Sequence, residues 1–181
     1  MPEKTHPTRQ LLLDAGLVLA QHTPLSGIAI DEIVKEAGVA KGTFYVHFSD
    51  RTEFLLALHD QFHDDLRARI AAATVDAPPG GTRLKASTVA YLDGCLKAQG
   101  VKAMLVHARG EPSIAAKVMA SNARFAKAAA ADFRTLGVKH PLESARLFVA
   151  MTAEIALLEL EAGARQPKLR AALWDLAIGD V

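Results

Sequence analysis

Residues 30–48 constrain the fold more than any other part of the chain, and they read IDEIVKEAGVAKGTFYVHF. Apolar residues recur at three- and four-residue spacing from Ile30 to Ala37, which predicts a short helix with one buried face. Gly38 follows, and because glycine tolerates a positive φ it can end this helix and turn the chain sharply. The chain restarts as a second short helix near Lys41. This pattern predicts a helix-turn-helix, a motif whose second helix can enter the major groove of DNA.

The second helix of this motif is predicted to have a buried aromatic side and an exposed polar side. Phe44 and Phe48 stand four residues apart and therefore share one side of a helix. The residues of the opposite side are Lys41, Gly42, Thr43, Tyr45, Val46 and His47. An ordinary corner of two helices with a solvated polar face is the alternative that this pattern leaves open.

The stretch AGVAKGTFYVHFSDRTEFL resembles the DNA-binding signature of the TetR family of bacterial transcriptional regulators, also called TetR/AcrR. The similarity extends without gaps from about Thr8 to about Leu58. Beyond Leu58 only the chain length and the helical pattern agree with the family. The resemblance implies a homodimeric DNA-binding regulator, most often a repressor, that binds a near-palindromic operator.

The resemblance also implies a role for each exposed residue of the second helix. Lys41 would reach a phosphate or a guanine edge, and Gly42 would let the backbone approach the sugar-phosphate chain closely. Thr43, Tyr45 and His47 would donate hydrogen bonds to phosphate oxygens. Such contacts position a protein on DNA without reading the base sequence.

Two further contacts and two departures from the family pattern complete this comparison. The resemblance implies that Val46 touches a thymine methyl group and that Arg51 binds a phosphate at the start of the next helix. Family members commonly have Thr at the position of Ala29 and Ser at the position of Ala40, where each caps a helix. Neither alanine can accept a hydrogen bond from a first-turn N–H, a loss of about 1 kcal/mol per cap. We therefore expect a locally softer domain.

The rest of the sequence predicts an all-α fold of about nine helices. Apolar residues repeat at helical spacing between turns rich in Gly and Pro, and no segment alternates with period two for long enough to form a strand. The predicted helices cover about residues 8–22, 30–37, 41–48, 51–73, 83–99, 101–108, 113–136, 142–162 and 168–178. We expect a three-helix DNA-binding domain over residues 1–50 and, by the resemblance, a helical ligand-binding and dimerisation domain over residues 51–181.

Composition narrows the possible classes of protein. Half of the 181 residues are apolar, which is enough for a sizeable core, and the single cysteine, Cys95, excludes an intramolecular disulfide. No uncharged apolar stretch approaches eighteen residues and the N-terminus lacks the apolar segment of a signal peptide, so a soluble cytoplasmic protein without a membrane span is expected. Residues 1–70 carry seven Lys or Arg against ten Asp or Glu. DNA binding must therefore depend on a few placed cations and N–H groups, not on a general basic surface.

Several residues after Leu58 are candidates for a small-molecule site. In the resembling family this region forms a ligand pocket, and a pocket needs few polar groups among many apolar ones. The candidates are Tyr91, Met104, His107, Arg109, Asn122 and Phe125. Decoration of a surface turn is an open alternative for the mid-chain members of this set. The resemblance implies that an unidentified ligand lowers the affinity for DNA.

The last two predicted helices, within about residues 142–178, combine large apolar residues with several small ones. In the resembling proteins this pair of helices packs against its symmetry mate as a four-helix bundle, which implies a homodimer. An ordinary intramolecular core would use the same residues, so the sequence leaves both alternatives open.

His59 and His63 stand four residues apart on one predicted helix and suggest an alternative function. This spacing can contribute to a zinc site, which needs three or four ligands. The alternative is therefore a small α-helical metal-dependent enzyme. A catalytic motif and a cofactor fingerprint are both missing from the sequence, so we expect neither catalysis, nor a bound metal, nor a cofactor. We expect instead that the two histidines belong to a solvated face.

Overall fold

The computed structural model describes residues 6–20, 28–98, 112–177 and 179. Within these residues there are eight helices and no strand, which confirms the predicted all-α fold. The helices are α1 (Pro7–Leu19), α2 (Ile30–Glu36), α3 (Lys41–His47), α4 (Arg51–Thr74), α5 (Gly81–Lys97), α6 (Pro112–Thr135), α7 (Pro141–Ala162) and α8 (Pro167–Ala177). The predicted helix over residues 101–108 lies outside the described residues. None of the described helices is long and apolar enough to cross a membrane.

The chain divides into two compact units. The first comprises Met1–Phe62 with Ala98–Ile114, and the second comprises His63–Lys97 with Ala115–Val181. The division falls inside α4, so residues of this helix belong to both units. The domain boundary expected from the sequence, at residue 50, precedes α4.

The first unit is built on a cluster of three phenylalanines. Phe44, Phe48 and Phe54 are each at most 1% exposed. Their ring centroids lie 5.2 to 5.5 Å apart in tilted and edge-to-face arrangements, which aromatic pairs prefer. Gly16 permits α1 to approach this cluster, because a Cβ atom at that position would lie 2.6 Å from Cζ of Phe54. The side of α3 that carries Phe44 is therefore buried, as the sequence predicts.

The histidines of α4 are buried, which corrects the expectation of a solvated face. His59 is 1% exposed and His63 is 4% exposed. His59 follows the buried Leu55 by four residues and His63 follows His59 by four, so both rings continue an apolar stripe that is itself buried. The face that remains in solvent carries Asp60 and its acidic neighbours. The buried part of this helix is wider than its apolar residues alone indicate.

The second unit contains a buried ion-pair network that joins α5, α7 and α8. The Arg170 guanidinium donates from Nε and Nη2 to the Glu159 carboxylate at 2.6 and 2.7 Å, and from Nη1 to Asp93 at 3.0 Å. Glu159 is fully buried and also accepts the Gln166 N–H at 2.9 Å. Burial alone would raise the pKa of Glu159, but the hydrogen bonds from Arg170 and Gln166 outweigh it and lower that pKa below its usual value.

We predict that Arg170→Met destabilises the chain by about 3 kcal/mol, because it leaves the Glu159 charge buried without its partner. Urea unfolding followed by circular dichroism measures this change. Arg165→Met is the matched control, since the Arg165 side chain is 63% exposed and pairs with Asp93 at 2.7 Å. We expect that control to cost at most about 1 kcal/mol.

The pH dependence of stability gives a second readout of the same pair. A carboxyl group with a lowered pKa stabilises the fold above its unfolded pKa of about 4.3 and loses that contribution as the pH falls through its folded pKa. The difference in unfolding free energy between the wild-type chain and Arg170→Met should therefore shrink below about pH 4.3. A difference that stays constant across the acidic range would contradict the ion-pair account.

Candidate nucleic-acid interface and ligand cavity

The turn between α2 and α3 has the geometry that the sequence indicates. Gly38 has a φ of +67°, in the left-handed region where glycine is favoured. Its N–H donates to the Lys35 carbonyl at 3.2 Å, and the Val39 N–H donates to the Val34 carbonyl at 3.0 Å. These two bonds form a Schellman motif, which ends α2 while satisfying its last carbonyls. The chain can then restart as α3 after two residues.

The residues predicted to face DNA form the part of α3 that stays exposed or half-buried around its buried phenylalanine. Tyr45 is 51% exposed and Val46 is 78% exposed. The others are exposed or half-buried, and they are Lys41, Gly42, Thr43 and His47. An apolar side chain as exposed as Val46 suits contact with a thymine methyl group. Their contacts with DNA stay a prediction.

Helix α3 lacks a side-chain cap, whereas α4 is capped firmly. Neither Ala40 nor Ala29 provides a side-chain cap, as the two alanines predict, although the Glu32 carboxylate accepts the Ala29 N–H at the start of α2 at 2.8 Å. For α4, the Asp50 carboxylate accepts the Glu53 N–H at 2.8 Å, and the Glu53 carboxylate accepts the Ser49 N–H at 2.7 Å. The Ser49 hydrogen bond lowers the pKa of Glu53. Two side chains therefore satisfy backbone N–H groups at the start of α4.

Both predicted cations of the interface are already engaged within the first unit. The Lys41 ammonium lies 2.8 Å from the Asp31 carboxylate, and this hydrogen bond raises the pKa of Lys41. Both side chains are more than half exposed, so a phosphate can compete with Asp31 in water. Arg51 donates from Nε to the Ile28 carbonyl at 3.1 Å, which orients its guanidinium at the start of α4. A phosphate at Lys41 must therefore displace a carboxylate.

The N-terminal end of α1 contributes two neighbours that the sequence did not single out. The imidazole of His6 lies 4.9 Å from the His47 ring, measured between centroids. The Arg9 guanidinium carbon lies 4.9 Å from the Phe48 ring centroid, a cation–π distance. Both contacts depend on how α1 packs beside α3, and no local pattern in the sequence reports that packing.

The second unit contains a cavity of about 320 Å³ between residues of α4, α5, α6 and α7. Three of the predicted ligand residues line it: Tyr91, Asn122 and Phe125. The Tyr91 and Phe125 rings meet edge to face, with centroids 5.8 Å apart. The other three predicted residues, Met104, His107 and Arg109, lie outside the described residues. Ligand binding by any of the six stays a prediction.

The cavity also contains an ion pair that sequence reasoning missed. Arg83 donates from Nε to Oδ1 of Asp132 at 2.7 Å, and the same oxygen accepts the Gly80 N–H at 2.9 Å. Asp132 is 5% exposed, so the pair is held largely out of water. The two residues are 49 positions apart in the chain, and nothing in the local sequence of either one indicates the other.

The described residues contain no group of three or more His, Cys, Asp or Glu placed to hold a metal ion. The His59 Nδ1 atom lies 3.6 Å from the Asp60 carboxylate, which makes an ion pair only when the imidazole is protonated. Within the described part of the chain, no third metal-ligating side chain therefore joins His59 and His63.

Residues 12–58 match the sequence model of the bacterial regulatory proteins of the tetR family. The chain is 34% identical over 92 residues to the HTH-type transcriptional repressor DhaR of Mycobacterium sp. (strain GP1). That match covers 49% of this chain and 46% of DhaR, so the chain aligns with less than half the length of this curated relative. The resemblance to the TetR/AcrR family is thereby confirmed for the segment that contains α2, α3 and the start of α4.

Solved structures extend the similarity of fold to nearly the whole chain. A transcriptional regulator from Rhodococcus sp. Rha1 superposes with a TM-score of 0.78 at 22% identity, covering 94% of each chain. Regulatory protein TetR from Rhodobacter sphaeroides superposes with a TM-score of 0.77 at 21% identity, covering 94% of this chain and 97% of that chain. The chain therefore has the fold of these regulators, with an N-terminal helix-turn-helix and a C-terminal helical part.

We predict that Ala40→Ser raises the free energy of unfolding by about 1 kcal/mol. Ala40 already has the extended backbone of a cap residue, with φ −72° and ψ 150°, so a serine hydroxyl can accept a first-turn N–H of α3 without rearrangement. Chemical denaturation of the two chains measures the difference. The matched control is Ala68→Ser in the exposed middle of α4, where serine is a poorer helix former than alanine and stability should fall by a few tenths of a kcal/mol, on the order of 0.5. Equal effects of the two substitutions would show that α3 does not need a cap.

Proposed function

We propose that this chain is a homodimeric DNA-binding transcriptional regulator, a repressor that binds a near-palindromic operator and is released by a small molecule. The observation that carries this proposal is the exposed polar side of α3. Burial of Phe44 keeps that side in solvent, and the sequence of the helix-turn-helix matches the tetR family. The repressor name of its relative DhaR supports the direction of regulation. Action on chromosomal DNA would place the chain in the cytoplasm.

The proposed DNA contact depends on geometry more than on net charge. Helix α3 has seven residues and is therefore about 10 Å long, a length that enters the major groove end-on or along its floor. Its Tyr45 hydroxyl and His47 ring nitrogens suit phosphate oxygens, and Lys41 supplies the cation nearest the start of the helix. When a DNA phosphate replaces Asp31 as the partner of Lys41, Lys41 remains in an ion pair, and counterions are released from the DNA.

The proposed homodimer uses α7 and α8. Leu147 of α7 is 68% exposed and Leu176 of α8 is 76% exposed. In the proposed dimer, a second copy of the chain covers these two side chains. Ala150, one helical turn after Leu147, is also exposed and lets a partner helix approach closely. In a two-fold dimer through these helices, both copies of each leucine would be buried at the interface.

The proposed ligand response uses the cavity of the second unit. Ile70 and Thr74 of α4 line this cavity, while Arg51 begins the same helix. A ligand can lower DNA affinity only if it favours a conformation in which the two α3 helices no longer match the spacing of the operator. A coupling of about 1–3 kcal/mol, or about 5- to 150-fold in operator affinity, is typical of such regulation.

The alternative function, a metal-dependent enzyme using His59 and His63, has no observation in its favour. Both rings are buried, and the described residues place no third ligand with them. The named relatives are regulators.

We predict that Lys41→Ala and Tyr45→Phe weaken binding to all DNA sequences alike, because both residues are proposed to contact phosphates. The slope of the logarithm of affinity against the logarithm of salt concentration should fall by about 1 for Lys41→Ala. Fluorescence anisotropy with DNA from upstream of the gene, over a range of salt, measures both effects. Lys85→Ala is the control, since Lys85 is an exposed cation of α5 outside the proposed interface. Loss of affinity at a single base pair of the operator would assign these residues to base reading instead.

We predict that Leu147→Glu converts the dimer to monomers. Each copy loses the burial of a leucine, about 1.5 kcal/mol or more, so the dissociation constant of the dimer should rise by about a hundredfold or more. Light scattering coupled to size-exclusion chromatography over a dilution series measures the change. Met119→Glu is the control, because Met119 of α6 is 72% exposed but lies outside α7 and α8. A Leu147→Glu chain that stays dimeric would move the interface elsewhere.

A further inference from the structure

The cavity of the second unit is small and is lined in part by aromatic side chains. Phe125 and Tyr91 meet edge to face on one side, and Phe148 of α7 lines another. Its volume of about 320 Å³ lies near the lower end of the range of about 300–1,000 Å³ that is usual for ligand pockets. Walls of this kind stabilise a flat apolar molecule of about two fused rings, which buries its faces against the phenylalanine and tyrosine rings.

The charges of the cavity are already balanced. Among the described residues that line it, Arg83 and Asp132 carry the only formal charges, and they form one ion pair with each other. Asp132 is further held by the Gly80 N–H. A charged ligand would have to disrupt this pair or remain without a counter-charge in a largely apolar cavity, and both are costly. The balance therefore favours an uncharged ligand.

Three hydroxyl groups of the cavity walls offer acceptors and not donors. The Thr74, Ser87 and Thr152 hydroxyls donate to the carbonyls of Ile70, Leu84 and Phe148, at 2.8 to 2.9 Å, each within its own helix. A hydroxyl whose hydrogen is already donated to a carbonyl can only accept hydrogen bonds from a ligand in the cavity. The Asp132 carboxylate adds acceptor capacity at the same site. These three hydroxyls and the Asp132 carboxylate are best satisfied by a ligand that donates a hydrogen bond.

We propose that the cavity binds a small uncharged aromatic molecule that carries a hydroxyl group, a phenol-like compound. Its rings pack against Phe125 and Phe148, and its hydroxyl donates to the acceptors beside the Arg83–Asp132 pair. This inference rests on the proposed function for its regulatory meaning, because such a ligand would be the molecule that releases the operator. Binding itself is a property of the cavity and is measured without DNA.

Four matched probes test the ligand class by calorimetry on the full chain at neutral pH. The probes are 2-naphthol, 2-methoxynaphthalene, 2-naphthoate and 2-naphthylmethylammonium, which share one ring system. We expect 2-naphthol to bind about tenfold or more tightly than either charged probe, a difference of about 1.4 kcal/mol. It should bind about fivefold more tightly than 2-methoxynaphthalene, which lacks the donor. Tightest binding by a charged probe, equal binding of naphthol and its methyl ether, or no binding by any probe would overturn the proposal.

Two variants test whether the ion pair sets the charge preference. Asp132→Asn leaves the Arg83 guanidinium uncompensated, so 2-naphthoate should gain about tenfold relative to 2-naphthol. Arg83→Met leaves the carboxylate uncompensated, so 2-naphthylmethylammonium should gain instead. Lys127→Met, an exposed cation of α6 that does not line the cavity, should change neither ranking. If Asp132→Asn fails to fold in a thermal melt, Arg83→Met and the ranking on the unmodified chain still decide the question.

A parallel DNA-binding assay separates the two proposals. Operator binding is measured by anisotropy with and without 2-naphthol. A chain that ranks the probes as expected but binds no DNA would contradict the proposed regulator and leave the ligand class standing. A chain that binds DNA but ranks a charged probe first would contradict the ligand class alone.

Discussion

The packing of Phe44 and Phe48 against Phe54 determines how α3 is presented, and the candidate DNA contacts depend on that presentation. A helix of seven residues is too short to be stable alone in water, so its tertiary contacts must hold it. The three rings bury one side of α3 and thereby fix which residues stay outside. Gly16 is part of the same arrangement, since any larger residue there would collide with Phe54. The exposed side is a consequence of the buried one.

The ends of the helices divide the first unit into a firm and a softer part. Asp50 and Glu53 satisfy N–H groups at the start of α4, so the site of Arg51 has side-chain support. The start of α3 has only the Ala40 carbonyl, which accepts the Thr43 N–H at 2.9 Å. A phosphate placed at the start of α3 would meet N–H groups that lack a side-chain acceptor. The start of α3 is therefore less firmly capped than the start of α4.

Local chemistry was predictable from the sequence, and long-range contacts were not. The Gly38 turn, the missing caps and the burial of Phe44 each depend on a few consecutive residues whose backbone preferences and spacing are visible in the sequence. The burial of His59 and His63 depends on what packs around α4, and the expectation of a solvated face failed for that reason. The Arg83–Asp132 pair joins two helices that are far apart in the chain, so no periodic pattern in the sequence predicts it. Three of the six predicted ligand residues, Tyr91, Asn122 and Phe125, line the cavity, but the sequence alone did not indicate which helix faces would form it.

Energetic magnitudes limit how the proposed ligand could act on DNA binding. Breaking the packing of a buried phenylalanine costs about 3–5 kcal/mol, which exceeds the coupling of about 1–3 kcal/mol expected between a ligand and an operator. Under the proposed regulation, α3 would therefore keep its packing on the aromatic cluster. Helix α4 contributes Phe54 to that cluster and Ile70 to the cavity wall, so the proposed coupling would act through this helix.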